Sequence, residues 1–86
     1  MKIIYKPVIS PINNGRTTKP NFRFESLEEA KRFVEMLCDE RNISTGDWYD
    51  SKYYHELRDE NGSLLGQVYK RIVYDDAEEA LEKSDL

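Results

Sequence analysis

The segment that most restricts the folding options of this chain is SLEEAKRFVEMLCDER, residues 26–41. Ser26 and Glu29 match the S-x-x-E capping box, in which the serine oxygen takes an orphaned helix amide and the glutamate reaches back to the serine amide. Leu27, Ala30, Phe33, Val34, Leu37 and Cys38 then recur three and four residues apart, laying one apolar stripe along a helix. Glu28 and Arg32, four apart with the acid first, support the opposite, wet face. A helix with one apolar stripe must bury it against another layer, which the rest of the chain has to supply.

The flanking segments read as strands. KIIYKPVI, residues 2–9, alternates Ile3 and Tyr5 with Ile4, Lys6 and Val8, and Pro7, which lacks an amide donor, places it at a sheet edge. SPINNGRTTKPN has turn signals and no periodicity, so it reads as a polar, basic loop of about ten residues. NFRFE then resumes alternation, with Phe22 and Phe24 inward and Arg23 and Glu25 outward. Further along, DENGS is a hairpin signal followed by the alternating run LLGQVYKRIVY, so residues 52–59 are expected to pair with 64–74.

GDWYDSKYYHEL, residues 46–57, holds the only tryptophan and the only histidine. As a helix it would gather Tyr49, Tyr53, Tyr54 and Leu57 on one side behind an Asp47 cap. As a strand it alternates Tyr53, His55 and Leu57 with Tyr54, Glu56 and Arg58, and aromatic residues favour strands. The hairpin signal that follows selects the strand for its second half and leaves Trp48 and Tyr49 in a loop.

A two-residue Asn61-Gly62 turn would pair Tyr54 with Tyr69, His55 with Val68 and Leu57 with Gly66. It would turn Tyr53, His55, Leu57, Leu64, Val68 and Ile72 inward and Tyr54, Glu56, Arg58, Gln67, Tyr69 and Arg71 outward, with Leu65 alternating on the outward side. A type I turn with a Gly62 bulge would shift the pairing by one. The closing DDAEEALEKSDL can start a short helix at Asp75 or Asp76, with Glu79 completing a capping box after Asp76. Its apolar stripe, Ala77, Ala80 and Leu81, is thin. The expected architecture is α+β, in the order β-β-α-β-β-α, with a small antiparallel sheet and one main amphipathic helix on one face. Residues 1–74 make one domain and 75–86 a short acidic helix or tail.

Composition narrows the functional classes. A chain of 86 residues buries only roughly 60% of the surface it exposes when unfolded, so most of its apolar inventory is needed for the core. No apolar run is long enough for a membrane span and residues 1–9 lack the features of a secretory signal, so a cytoplasmic location is expected. One cysteine, Cys38, allows no internal disulfide and no metal-ligand spacing. No cofactor, metal site or enzymatic motif is expected. A Cys38–His55 pair would need an activated thiolate in contact with the ring, whereas Cys38 continues the apolar stripe.

The formal charge of −4 is unevenly spread. Residues 1–25 carry five bases and one acid (+4), residues 26–74 seven bases and ten acids (−3), and residues 75–86 one base and six acids (−5). Two functional readings follow. The first is a small accessory protein that modulates a larger protein or complex, in the manner of an inhibitor or immunity protein, through Trp48, Tyr49, Tyr54, Arg58, Tyr69 and Arg71. These residue types are the ones enriched at interface hot spots. Its acidic tail could steer a basic partner. The second is nucleic-acid binding, with Arg16, Lys19 and Arg23 beside the outward hairpin face neutralising phosphates. The low isoelectric point and Glu56 within that face weigh against it. The chain could act as a monomer or a homodimer.

Overall fold

The computed structural model describes residues 1–10 and 22–83, which leaves the basic loop with Arg16 and Lys19 outside the described residues. Along the chain come β1 (Lys2–Ile9), α1 (Leu27–Glu40), β2 (Trp48–Asp50), β3 (Tyr54–Arg58), β4 (Leu64–Val73) and α2 (Ala77–Lys83). The strands form one antiparallel sheet in the order β1-β4-β3-β2, and α1 packs across β1 and β4 on one side of it. This is the expected two-layer α+β architecture with one main helix.

Helix α1 starts as its capping signal requires. Ser26 is extended (φ −114°, ψ 131°) and its Oγ accepts the Glu29 amide at 3.4 Å. The other end carries a signal that periodicity does not reveal. Asn42 adopts a left-handed φ of 56°, its amide donates to the Asp39 carbonyl at 3.0 Å, and the Ile43 amide donates to the Cys38 carbonyl at 2.9 Å. This double bond is a Schellman stop, and Ile43 then packs against the core as the motif's apolar partner. Ala30, Val34 and Cys38 are buried along the stripe and join Ile9, Leu57, Leu65 and Val68 in one core cluster.

The helix sits close because β4 has no side chain at its crossing point. A Cβ on Gly66 would lie 2.8 Å from Val34 Cγ1 and 3.2 Å from the Val8 carbonyl oxygen. Val34 is fully buried and, being β-branched in a helix, cannot turn aside at χ1.

The β3–β4 hairpin pairs Tyr54 with Tyr69, His55 with Val68 and Leu57 with Gly66. That is the register of a two-residue turn, yet the turn is the other candidate. The Gly62 amide donates to the Asp59 carbonyl at 3.1 Å, Gly62 has a φ of 87°, and Asp59 and Ser63 close a three-residue tip. A bulge reconciles the two. Arg58 pairs with Leu64 and Leu57 with Gly66, so Leu65 is the extra residue. The bulge takes Leu65 off the outward side expected for it and into the core, where it is 3% exposed.

Three other expectations are revised. Residues 22–25 form no strand: only Phe24 bridges to Tyr5, and Phe22 and Phe24 instead flank Phe33 of α1 at 5.2 and 5.5 Å. Trp48–Asp50, expected as loop, is the strand β2, so the order along the chain is β-α-β-β-β-α. Tyr53 and Ile72, expected inward, are exposed, because the sheet beyond Tyr54 narrows to β1 and β4.

Replacing Gly66 by alanine is expected to destabilise the fold by about 1–3 kcal/mol in a denaturant titration. Adding Val34→Ala should recover part of that cost, so that the double variant is less destabilised than the sum of the two single ones. Strict additivity would show that α1 does not seat at this point.

Candidate binding face

Strand alternation divides the sheet's side chains between two faces. The helix side receives Tyr5, Pro7 and Ile9 from β1, Val68 from β4, His55 and Leu57 from β3, and Trp48 and Asp50 from β2. The other side receives Ile4, Lys6 and Val8 from β1, Gln67, Tyr69 and Arg71 from β4, Tyr54 and Glu56 from β3 and Tyr49 from β2. Ile4, opposite Arg71, is buried there, and among the described residues no helix or strand packs over the face.

On that outer face the side chains are tied to one another. Arg58 donates through Nε (3.2 Å) and NH2 (2.9 Å) to one oxygen of Glu56, whose other oxygen accepts from Gln67 Nε2 at 3.1 Å. Tyr69 Oη then donates to Gln67 Oε1 at 2.7 Å. Its ring lies 6.4 Å from that of Tyr54 and carries the Arg71 guanidinium at 5.1 Å. A row of polar groups thus fixes the position of Tyr69, and two flat surfaces, Tyr54 and the Arg71-covered Tyr69, stand beside it. Preformed aromatic and guanidinium groups lose little freedom on contact, which is what makes such residues effective anchors.

Of the six residues expected to bind a partner, the structure brings together Tyr54, Arg58, Tyr69 and Arg71, with Tyr49 exposed at the neighbouring edge strand. Trp48 does not join them. It pairs with Leu57, faces the helix and packs against the core, its Nε1–H donating to Glu35 Oε1 at 2.9 Å and its ring lying under Lys31 Nζ at 5.1 Å. Arg23, the described member of the basic set, is exposed beside the Phe24 bridge. The expected register already placed Glu56 opposite Gln67 on the outer face; the hydrogen bonds that link them to Arg58 and Tyr69 depend on side-chain conformations that alternation does not specify.

The helix side holds a second polar group. Asp50 Oδ1 meets Lys31 Nζ at 2.9 Å and His55 Nδ1 at 2.5 Å. Together with the Trp48–Glu35 bond, these contacts strap β2 to α1 through long side chains, since the α1 backbone lies close only to β1 and β4. The hydrogen bond from Lys31, then that with His55, holds the Asp50 carboxyl below its ordinary value of 3.8. His55 therefore has a structural partner, while burial pushes the Cys38 thiol above its usual range. A protonated, buried thiol is a weak nucleophile.

No family model, curated protein or solved structure significantly matches this chain.

Two outcomes follow for the strap. A carboxyl whose folded pKa is depressed adds stability above its unfolded pKa and loses it as pH falls through the folded one. The gap in unfolding free energy between the native protein and Asp50→Asn should thus be present at neutral pH and shrink as pH falls below 3.8 and through the depressed folded pKa. A gap unchanged in acid would show that the Asp50 charge contributes nothing. Trp48→Ala should cost about 2 kcal/mol, less than the roughly 3–5 of a fully buried tryptophan, because part of the ring stays in water.

Proposed function

We propose that this chain is a small, non-enzymatic accessory protein that acts in the cytosol and modulates a larger protein by occupying part of its surface, as inhibitor or immunity proteins do. The observation that supports this reading is the outer sheet face: an aromatic pair with a stacked arginine, braced from one side by the Arg58–Glu56–Gln67–Tyr69 row and covered by no described element. A fold that holds tyrosines in water on a fixed frame gains little stability from them, since a cross-strand aromatic pair contributes at most about 1 kcal/mol. Their value lies in what they can contact. Within that face Tyr54, Tyr69 and Arg71 are the anchors, Tyr49 extends the surface, and Arg58 braces the row. Trp48 belongs to the strap of β2 and not to the contact.

The test is capture of a partner on the immobilised protein, with nuclease present, by the native chain and by the double variant Tyr54→Ser/Tyr69→Ser. The variant should lose more than about tenfold in recovery of the native chain's partner, as expected for two anchors. Its melting temperature should fall by no more than about 8 °C, roughly 1 kcal/mol for a domain of this size. Equal recovery by both proteins would remove the face from the account. A ligand lost on nuclease treatment would assign the chain to nucleic acid instead.

A further inference from the structure

The outer sheet face is one of two surfaces that the described fold leaves without packing. The other is helix α2, which packs on no strand and not on α1, and whose Leu81 is 80% exposed. Asp76 Oδ1 caps the helix by accepting the Glu79 amide at 2.7 Å, and the ammonium of Met1 pairs with Asp75 and Glu79. Even so, a helix of seven residues is short to stand alone in water, and a surface that received its apolar side would stabilise it.

The two surfaces carry opposite charge. On the outer face, Arg58 is paired with Glu56, and nearby Lys2 is paired with Glu25 at 2.6 Å. Among the described residues no acid pairs with Lys6 or Arg71, and the segment 11–21 contains no acid at all. On α2, Glu78 and Glu82 have no cation partner among the described residues, and with Leu81 between them they share one helical stripe.

The spacings agree as well. Lys6 stands opposite Tyr69, two residues from Arg71, so the two residues are diagonal neighbours with backbone positions about 7–8 Å apart. Glu78 and Glu82 are one turn apart, about 6 Å along the axis. Within one copy these groups do not meet, because α2 sits beyond the end of the β1–β4 ribbon.

We propose that the chain self-associates, with the Glu78–Leu81–Glu82 stripe of each copy seated on the Lys6–Tyr69–Arg71 surface of the other. Such an exchange is reciprocal and closes as a two-fold dimer. It uses the same face as the partner proposed above, so dimerisation and partner capture exclude each other. The dimer does not depend on that partner's existence: a monomeric chain that still captures a partner through Tyr54 and Tyr69 would refute this inference alone.

Sedimentation velocity over a concentration series tests it. At about 0.01 M salt, where charges act over roughly 30 Å, the native chain should dimerise, and at about 1 M salt, where they act over roughly 3 Å, the dimer should weaken at least about tenfold. Lys6→Glu/Arg71→Glu should be folded and monomeric, as should Glu78→Lys/Glu82→Lys, and mixing the two should restore a 1:1 dimer. The face variant leaves α2 intact and decides the question even where the helix variant frays. The inference is overturned by a native chain monomeric up to about 1 mM at low salt, or by a dimer indifferent to reversal of Lys6 and Arg71. It is equally overturned by a monomer that binds polyglutamate or oligothymidylate through those two cations, which would assign the face to a foreign acidic chain.

Discussion

Helix α1 rests on the sheet at a position with no side chain. Gly66 lets Val34 approach β4 to a distance that any Cβ would block, and the buried residues gather around that contact: Ile9 opposite Gly66 on β1, Leu57 opposite it on β3, and Val68 and Leu65 along β4. A small domain has little apolar surface to spend, so its helix must seat closely or not at all. The bulge at Leu65 serves the same contact. It brings an additional leucine into the core beside the bare glycine, and it returns the hairpin to the pairing that keeps Tyr54 and Tyr69 opposite each other on the far side.

Much of this was legible in residue order, for a physical reason. The start of α1, its stripe and the pairing of β3 with β4 rest on local periodicity and capping, which act over a few residues. What was not legible depends on partners distant in sequence. Trp48–Asp50 is too short to alternate, and becomes a strand only because the β3 edge and the side chains of Lys31 and Glu35 are there to receive it. Phe22–Glu25 alternates well, yet Phe22 and Phe24 find Phe33 of α1 a better neighbour than a sheet edge beyond the single bridge to Tyr5. The Leu65 bulge was not expected, because the clean sorting of faces favoured a two-residue Asn61-Gly62 turn. The observed tip has the Gly62 turn with the register of the two-residue one, and the bulge reconciles the two.

The same division explains the crowded aromatic segment between Gly46 and Leu57. It is two faces of one sheet and not a single site. Trp48, Asp50, His55 and Leu57 turn toward α1, where they close the core edge and fasten β2. Tyr49, Tyr54 and Glu56 turn away from it, onto the face where Tyr69 and Arg71 arrive from β4. The inward residues are bound to one another by contacts that stabilise the fold. Those on the outer face are held in position and left in water, an arrangement suited to recognition and costly to explain by stability alone.

The central claim is that one face of the sheet is packed under α1, while the part of the other face around Tyr49, Tyr54 and Tyr69 is covered by no described element. Hydroxyl-radical footprinting of the dilute, free protein tests it most directly. Tyr49 and Tyr54 should label rapidly, while Val34, Leu57 and Val68 stay protected as long as the protein is folded. Protection of Tyr54 and Tyr69 to the level of Leu57 in the monomer would contradict the account, because it would mean that the outer face is already covered by the chain itself.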